Sequence, residues 1–195
     1  MRGIEQIPWL YDLLTAWDER GGMGRWRTWL VGSCRGRVLE VGTGTGRNLP
    51  RYPPGTRVVA TDPHVNVLQA ARRKASGVPM VAASAEALPF GPATFDAVVS
   101  GLVFCSVPDP ARGLAEVTRV LAEGGELRMI EHVRSRRRWV AWLQDRVTPV
   151  WKRVVGGCHP NRDTEAAVRR AGFAILPDGY RARGILRRFV ARPER

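Results

Sequence analysis

Past about residue 36 the chain alternates short apolar runs with stretches whose apolar residues recur at helical spacing. The runs Arg37–Val41, Arg57–Thr61, Met80–Ala82, Phe95–Ser100 and Glu126–Glu131 predict strands. Helices are predicted to start near Gly46, His64, Pro110 and Arg138. Strand–helix alternation predicts an α/β domain, a doubly wound and mostly parallel sheet with helices on both faces. Phe173–Leu176 and Ile185–Val190 supply two closing strands as an antiparallel pair.

Local chemistry sets several boundaries. Asp109-Pro110 offers an N-cap followed by proline at the first helical position, where the missing N–H costs nothing. Leu114, Val117 and Leu121 continue that helix, and Glu123-Gly124-Gly125 ends it with glycines free to take positive φ. Before the first strand, a helical region from about Glu5 to Leu30 is interrupted at Gly21-Gly22 and carries Trp9, Tyr11, Trp17, Trp26 and Trp29. With no repeat and no low-complexity linker, residues 1–195 read as one domain. Within it, 1–35 form a helical cap, 36–195 the core, and 136–160 a lid or insertion.

The densest chemistry follows the first strand. Val38-Leu39-Glu40-Val41 leads into Gly42-x-Gly44-x-Gly46, a pattern that lets the chain turn sharply and a ligand approach the backbone. A dinucleotide fingerprint wants a third small residue where this chain has Arg47. An acid two positions before the first glycine, Glu40, is what an adenosylmethionine site carries. Asp62 closes the second strand 20 residues beyond Gly42, the distance at which a neighbouring strand brings a carboxylate to a ribose; its other role is to cap the helix after Pro63. Ser84 and the N–H of Ala85 are candidates for the adenine edge, with Glu86 either beside them or a surface charge. The backbone at Ser100, Gly101 and Leu102 is expected against the methionine part. Thr43, Asn48 and Pro63 complete the expected cofactor-binding set. Four strand ends in order point to one crevice at the carboxyl edge of the sheet.

Composition bounds the alternatives. The 195 residues hold 44% hydrophobic and 25% charged side chains, and no apolar run reaches the roughly 18 residues of a membrane span. The first residues lack the apolar core and cleavage site of a signal peptide. Cys34, Cys105 and Cys158 are scattered, so no metal site is expected, and a reduced, cytoplasmic protein is the simple reading. Thirty-one Lys and Arg against 18 Asp and Glu leave a net charge of +13, concentrated in Arg134-Ser-Arg-Arg-Arg138 and from Tyr180 onward. That surplus suits an anionic partner such as lipid or nucleic acid, or reflects arginine-rich genome composition. Nucleic acid is disfavoured because the aromatics sit in amphipathic segments and no Asn-Pro-Pro-Tyr or Asp-Pro-Pro-Tyr occurs. Glu40 and Arg47 disfavour an NAD-type oxidoreductase.

From Val38 to Glu131 the chain resembles the class I S-adenosylmethionine-dependent methyltransferases, and within them the small-molecule branch of thiol and ubiquinone/menaquinone enzymes. The resemblance rests on Leu39-Glu-Val-Gly-x-Gly-Thr-Gly46, Tyr52-Pro-Pro-Gly55, Asp62-Pro63, Val103-Phe-Cys-Ser-Val107, Glu116-Val-x-Arg-Val-Leu121 and Gly124-Gly125. Glu131-His132-Val133 and Gly157-Cys158-His-x-Asn-Arg162 extend it. It implies a Rossmann-like, seven-stranded sheet with the last strand antiparallel, and methyl transfer from S-adenosylmethionine to a small nucleophile. Bacterial phospholipid N-methyltransferases are similar in the same half, so the acceptor stays open among thiol, quinol, amine and phospholipid, and the oligomeric state is not indicated.

For the acceptor side, Glu131 and His132 at the end of the fifth strand are candidate bases, with an anchoring pair as the other reading. His159 is a second candidate, or part of a turn capping the helix near Asp163-Thr164. Trp139, Trp142, Val147, Val150 and Trp151 fall at helical spacing among arginines, with Pro149 expected to bend the helix. They read as a lid that also packs on the core, with peripheral contact at anionic lipid as the other option.

Overall fold

The computed structural model describes residues 7–10, 12–13, 22–155 and 157–194. Eight strands form a single sheet: β1 (Arg37–Val41), β2 (Arg57–Asp62), β3 (Met80–Ala82), β4 (Phe95–Gly101), β5 (Leu121–His132), β6 (Phe173–Ile175), β7 (Arg181–Arg183) and β8 (Leu186–Pro193). Their order is β3-β2-β1-β4-β5-β8-β6, with β7 paired only to β8. β1 to β5 run parallel, and β8 is antiparallel to both β5 and β6. This is the expected seven-strand path, with three-residue β7 added as one arm of a hairpin.

Successive residues of a strand face opposite sides, and the core divides accordingly. Val38, Ala97, Val99 and Ile130 pack with Leu30 and Val31 of α1 (Gly24–Gly32) and Ala71 of α2 (Val65–Lys74). Leu39, Val98, Leu127 and Met129 pack with Leu114 and Val117 of α3 (Pro110–Val120) and Val168 of α5 (Thr164–Arg170). Helices therefore cover both faces. Asp109 caps α3 as expected, its carboxylate accepting the N–H groups of Ala111 and Arg112 at 3.1 Å each. Arg128 of β5 donates to the carbonyls of Trp29 (2.9 Å) and Leu30 (2.6 Å), meeting the open end of α1 with positive charge.

Three expectations change, besides the helix from Pro110, which ends at Val120 so that Leu121 to Gly125, expected as its last turn and cap, open β5. No α-helix starts near Gly46; the chain makes one 3-10 turn, Leu49–Arg51, and Pro53-Pro54-Gly55 then carry it to β2. Of the N-terminal helix expected from Glu5, residues 1–6, 11 and 14–21, including Tyr11 and Trp17, lie outside the described residues. The third change concerns α4 (Arg138–Val154), which runs on through Pro149. Its buried positions are Ala141, Gln144 and Thr148, while Trp139 is 66% exposed, Trp142 58% and Val150 63%. The apolar stripe exists, but it faces away from the core. Gln144 explains the choice of face: its side chain donates to the carbonyls of Val133 (3.1 Å) and Pro160 (2.7 Å) and accepts the Ser135 N–H (2.8 Å). A polar anchor with three partners fixes the helix, so the tryptophans are left outside.

Candidate functional site

The strand order reverses between β1 and β4, and a crevice opens there at the carboxyl ends of the strands. It holds a cavity of about 430 Å³ bounded by the glycine loop after β1, the end of β2, the turn after β3 and the loop after β4. That volume lies in the range of small-ligand sites. Of the residues expected to bind a cofactor, Gly42, Thr43, Gly44, Asn48, Asp62, Pro63, Ser84, Ala85, Glu86, Gly101 and Leu102 all line it.

Each wall has a local cause. Gly42, Gly44 and Gly46 have φ of 64°, 57° and 77°, a region that suits glycine. A Cβ on Gly42 would collide with Val103 at 2.5 Å, and one on Gly46 would meet Ala71 of α2 at 2.9 Å. At Gly44 nothing lies within 4 Å, so backbone is presented to open space. Asp62 bridges two walls: Oδ2 accepts the Gly44 N–H at 3.1 Å and Oδ1 accepts the His64 N–H at 3.0 Å. It therefore organises the turn before α2 while its carboxylate edge lines the cavity. Ser84 donates to Glu86 at 3.0 Å and accepts the Glu86 N–H at 3.2 Å, closing a tight polar turn. Glu86 in turn accepts the Asp109 N–H at 2.7 Å.

Three expected cofactor residues lie elsewhere. Glu40 is 1% exposed and sits behind the glycine loop. It accepts from Thr43 (2.9 Å), Asn48 (3.2 Å) and Tyr52 (2.8 Å), and burial raises its pKa against those bonds. Gly46 serves helix packing. Ser100 is fully buried and donates to Glu131 at 3.3 Å.

The expected catalytic residues are placed differently: Glu131, His132 and His159 are all outside the cavity lining. Glu131 is 0% exposed, and its carboxylate accepts the N–H groups of Val103 (3.0 Å), Phe104 (3.0 Å) and Cys105 (3.2 Å). Burial raises its pKa while these bonds pull it down. A carboxylate so enclosed holds a loop. His159 is tied by its backbone, its N–H donating to the Cys105 carbonyl at 2.8 Å. The lid is also displaced: no described residue of 136–160 lines the cavity. Nor are the cysteines all scattered, since the Cys105 and Cys158 sulfurs lie 3.5 Å apart with His132 beside them.

Several lining residues were given no site role from the sequence, although Val103, Ser106 and Val107 lie in the motif Val103-Phe-Cys-Ser-Val107. Arg27 of α1 reaches the crevice and donates to Asn48 at 3.1 Å. Val103, Ser106, Val107 and Pro108 form a mostly apolar wall. Asp12 clasps the glycine loop from outside, accepting from Thr45 (2.8 Å), Arg47 (2.9 Å) and Lys74 (2.6 Å).

Comparison with known proteins gives one consistent answer. The methyltransferase domain family model matches residues 39–129. Thiol S-methyltransferase TMT1B of Rattus norvegicus is 37% identical over 145 residues, 70% of this chain and 59% of that protein. Demethylmenaquinone methyltransferase of Roseiflexus castenholzii is 34% identical over 169 residues, 80% of this chain and 71% of that protein. The fold of a SAM-dependent methyltransferase from Thermotoga maritima superposes with a TM-score of 0.64 at 23% identity, over 85% of this chain and 87% of that one. The chain spans about six tenths of the length of the mammalian relatives it matches.

Proposed function

The chain belongs to the S-adenosylmethionine-dependent methyltransferases, and from that membership we propose that it transfers a methyl group to a small, apolar acceptor of the thiol, quinol or amine type, with a thiol favoured. The observation that carries this reading is the cavity at the strand-order reversal, walled by Gly42–Gly44, Asp62, Ser84–Glu86, Leu102, Val103 and Ser106–Pro108. The residues fit the cofactor: the bare backbone at Gly44 leaves room for a close ligand, and the Asp62 carboxylate suits a pair of ribose hydroxyls. Ala83 to Glu86 offer an apolar slot with polar edges for a purine, and Gly101 and Leu102 offer backbone to the amino-acid part. When bound, S-adenosylmethionine supplies an electrophilic methyl carbon, leaving the protein chiefly alignment and exclusion of water.

The acceptor preference follows from what the chain's own groups can do. Among the described residues, the carboxylates lining the cavity are Asp62 and Glu86, both engaged by neighbouring N–H groups. Glu131 is sealed behind the loop. The lining does hold one imidazole, His64, whose Nδ1 lies 3.3 Å from Asp62 Oδ1; a weakly acidic alcohol would depend on such a base, whereas a thiol ionises more readily near neutrality. Arg27 beside Gly101 favours the anion, and Val103, Val107 and Pro108 favour an apolar body. A screen with labelled cofactor against alkyl thiols, quinols, amines, phosphatidylethanolamine and RNA tests the reading. Methylated thiol is the expected product; methylation confined to RNA would overturn it. Micromolar binding of NAD with none of S-adenosylhomocysteine would overturn the cofactor assignment as well.

A separate observation supports peripheral contact with anionic lipid. α4 turns an apolar stripe to solvent, edged by Arg136, Arg137, Arg138, Arg146, Lys152 and Arg153. Asp145 is its acid, and it is bound by Arg134 at 2.6 Å. Basic flanks around exposed tryptophans match an interfacial helix lying flat on negative headgroups. Among the described residues no helix is long and apolar enough to cross a membrane. Co-sedimentation with phosphatidylglycerol vesicles at low salt, lost in Trp142→Glu/Val150→Glu, is expected. Absence of vesicle binding, or a dimer that buries α4 instead, would refute it.

A further inference from the structure

Behind the loop that follows β4, three segments far apart in sequence bring Cys105, His132 and Cys158 together. We propose that these residues form a binding site for one thiophilic metal ion of the zinc class, with two thiolates and an imidazole as ligands and a fourth position left to an outside donor. The site stands apart from the cofactor cavity, which none of the three residues lines.

Four observations converge. First, the ligand set is chemically coherent, because two sulfurs and one imidazole nitrogen are soft and borderline donors of the kind zinc selects. Second, the spacing fits. Zinc–sulfur bonds of about 2.3 Å at a tetrahedral angle place two sulfurs about 3.8 Å apart. Here the sulfurs are 3.5 Å apart, and all three ligand atoms lie within 4.8 Å of one another. Closing on an ion needs about 1 Å of side-chain adjustment; a disulfide would need the sulfurs drawn together to about 2.05 Å. Third, His132 Nδ1 is buried with no hydrogen-bond partner, an uncommon state for an imidazole nitrogen unless something is to occupy it. Fourth, both cysteines are buried, 1% and 4% exposed, so the two sulfurs are shielded from solvent oxidants and held facing each other.

The backbone around the cluster is already fixed. Glu131 holds the Cys105 N–H at 3.2 Å, and the Cys105 carbonyl accepts the His159 N–H at 2.8 Å. Arg162 donates to the carbonyls of Phe104 (2.6 Å) and Val107 (2.7 Å), pinning the turn that carries Cys158 against the same loop. A bound ion would thus add a third tie between the loop after β4 and the turn after α4. Ser106, whose Oγ lies 3.8 Å from the Cys105 sulfur, lines the cavity, so that tie would stiffen the acceptor wall. Binding releases one proton from each thiol that enters as thiolate, and no electron transfer is involved.

The test uses the whole chain under reducing conditions and Co2+ as a spectroscopic stand-in, followed by competition with Zn2+. One equivalent is expected, with thiolate-to-metal absorption and a tetrahedral visible spectrum displaced by Zn2+. Affinity should fall at least 10-fold in Cys105→Ser, Cys158→Ser and His132→Ala, and stay unchanged in Cys34→Ser. Because a variant at a buried cysteine can fail to fold, the wild type is also alkylated with and without Zn2+ and mapped by peptide mass. Protection of Cys105 and Cys158 but not of Cys34 is expected. No bound equivalent, equal alkylation with and without metal, or undiminished affinity in Cys158→Ser overturns the site. Formation of a Cys105–Cys158 disulfide in place of metal binding also overturns it. Methyl transfer is not the readout, so this site and the proposed reaction fail or stand separately.

Discussion

Two loops meet at the crevice, and each is held from behind by a buried glutamate. The glycine loop hangs on Glu40 through side chains: Thr43, Asn48 and Tyr52. The loop after β4 hangs on Glu131 largely through backbone, from Val103, Phe104 and Cys105. Both acids occupy the ends of central parallel strands and both are almost fully enclosed. The difference lies in their donors. A hydroxyl can reverse from donor to acceptor by rotation, whereas a backbone N–H can only donate. The first loop can adapt to a changed anchor, and the second cannot.

Removing Glu131 has the largest expected effect. Glu131→Ala strands three N–H groups inside the protein, and the buried network should lose about 3–5 kcal/mol of stability by denaturant unfolding. A loss under 1 kcal/mol would show that the loop has another support. The amide variants separate the two loops most directly. In Glu40→Gln the retained oxygen still receives Thr43 and Asn48, and the new NH2 can donate to a rotated Tyr52 hydroxyl. In Glu131→Gln the NH2 must oppose either the Cys105 N–H or the other two donors. Glu131→Gln should therefore be destabilised by about 2 kcal/mol more than Glu40→Gln, the scale of an unsatisfied buried group. Equal melting curves would erase the distinction.

Asp62 ties the glycine loop to β2 from the cavity side. Asp62→Ala should weaken binding of S-adenosylhomocysteine by about 1–3 kcal/mol in a titration, and unchanged affinity in a folded variant would remove the ribose assignment. The smallest expected effect is on pH. Burial raises the pKa of Glu40 and Glu131 above the ordinary 4.5. The folded state then holds these protons more tightly than the unfolded chain. Their contribution to stability is greatest below about pH 4.5 and declines as pH rises through the folded values. The double Gln variant should flatten that decline relative to wild type as pH rises above about 4.5, and an unchanged slope would contradict the raised pKa values.

The cofactor side was legible because its chemistry is local in sequence. Glycine spacing, the Asp62 strand end and Ser84–Glu86 each declare themselves within a few residues, and they converge because parallel strands share one carboxyl edge. Glu40 was singled out for the right reason, its place before the glycines, yet its partners put it behind the loop. The acceptor side was not legible. Glu131 acts on N–H groups 26 to 28 residues away, and no side-chain pattern announces a backbone donor. Cys105 and Cys158 are 53 residues apart and meet only because Arg162 and His159 fold one turn onto one loop. In α4 the period gave the stripe but not its direction, which Gln144 decides. The absent helix after Gly46 is a case of proline overriding a familiar strand–helix rhythm.

That inward-facing glutamine has a practical corollary. With Ala141, Gln144 and Thr148 as the buried positions of α4, its outer face is structurally decoupled from the sheet. Trp139 and Trp142 there can be exchanged for lysine or glutamate without opening cavities in the core, whereas Trp151 reaches the buried Cys158 thiol and is better kept. The exposed face of the helix is thus open to redesign for solubility, surface immobilisation or a new delivery partner, and the crevice, to whose lining the helix contributes no residue, keeps its shape.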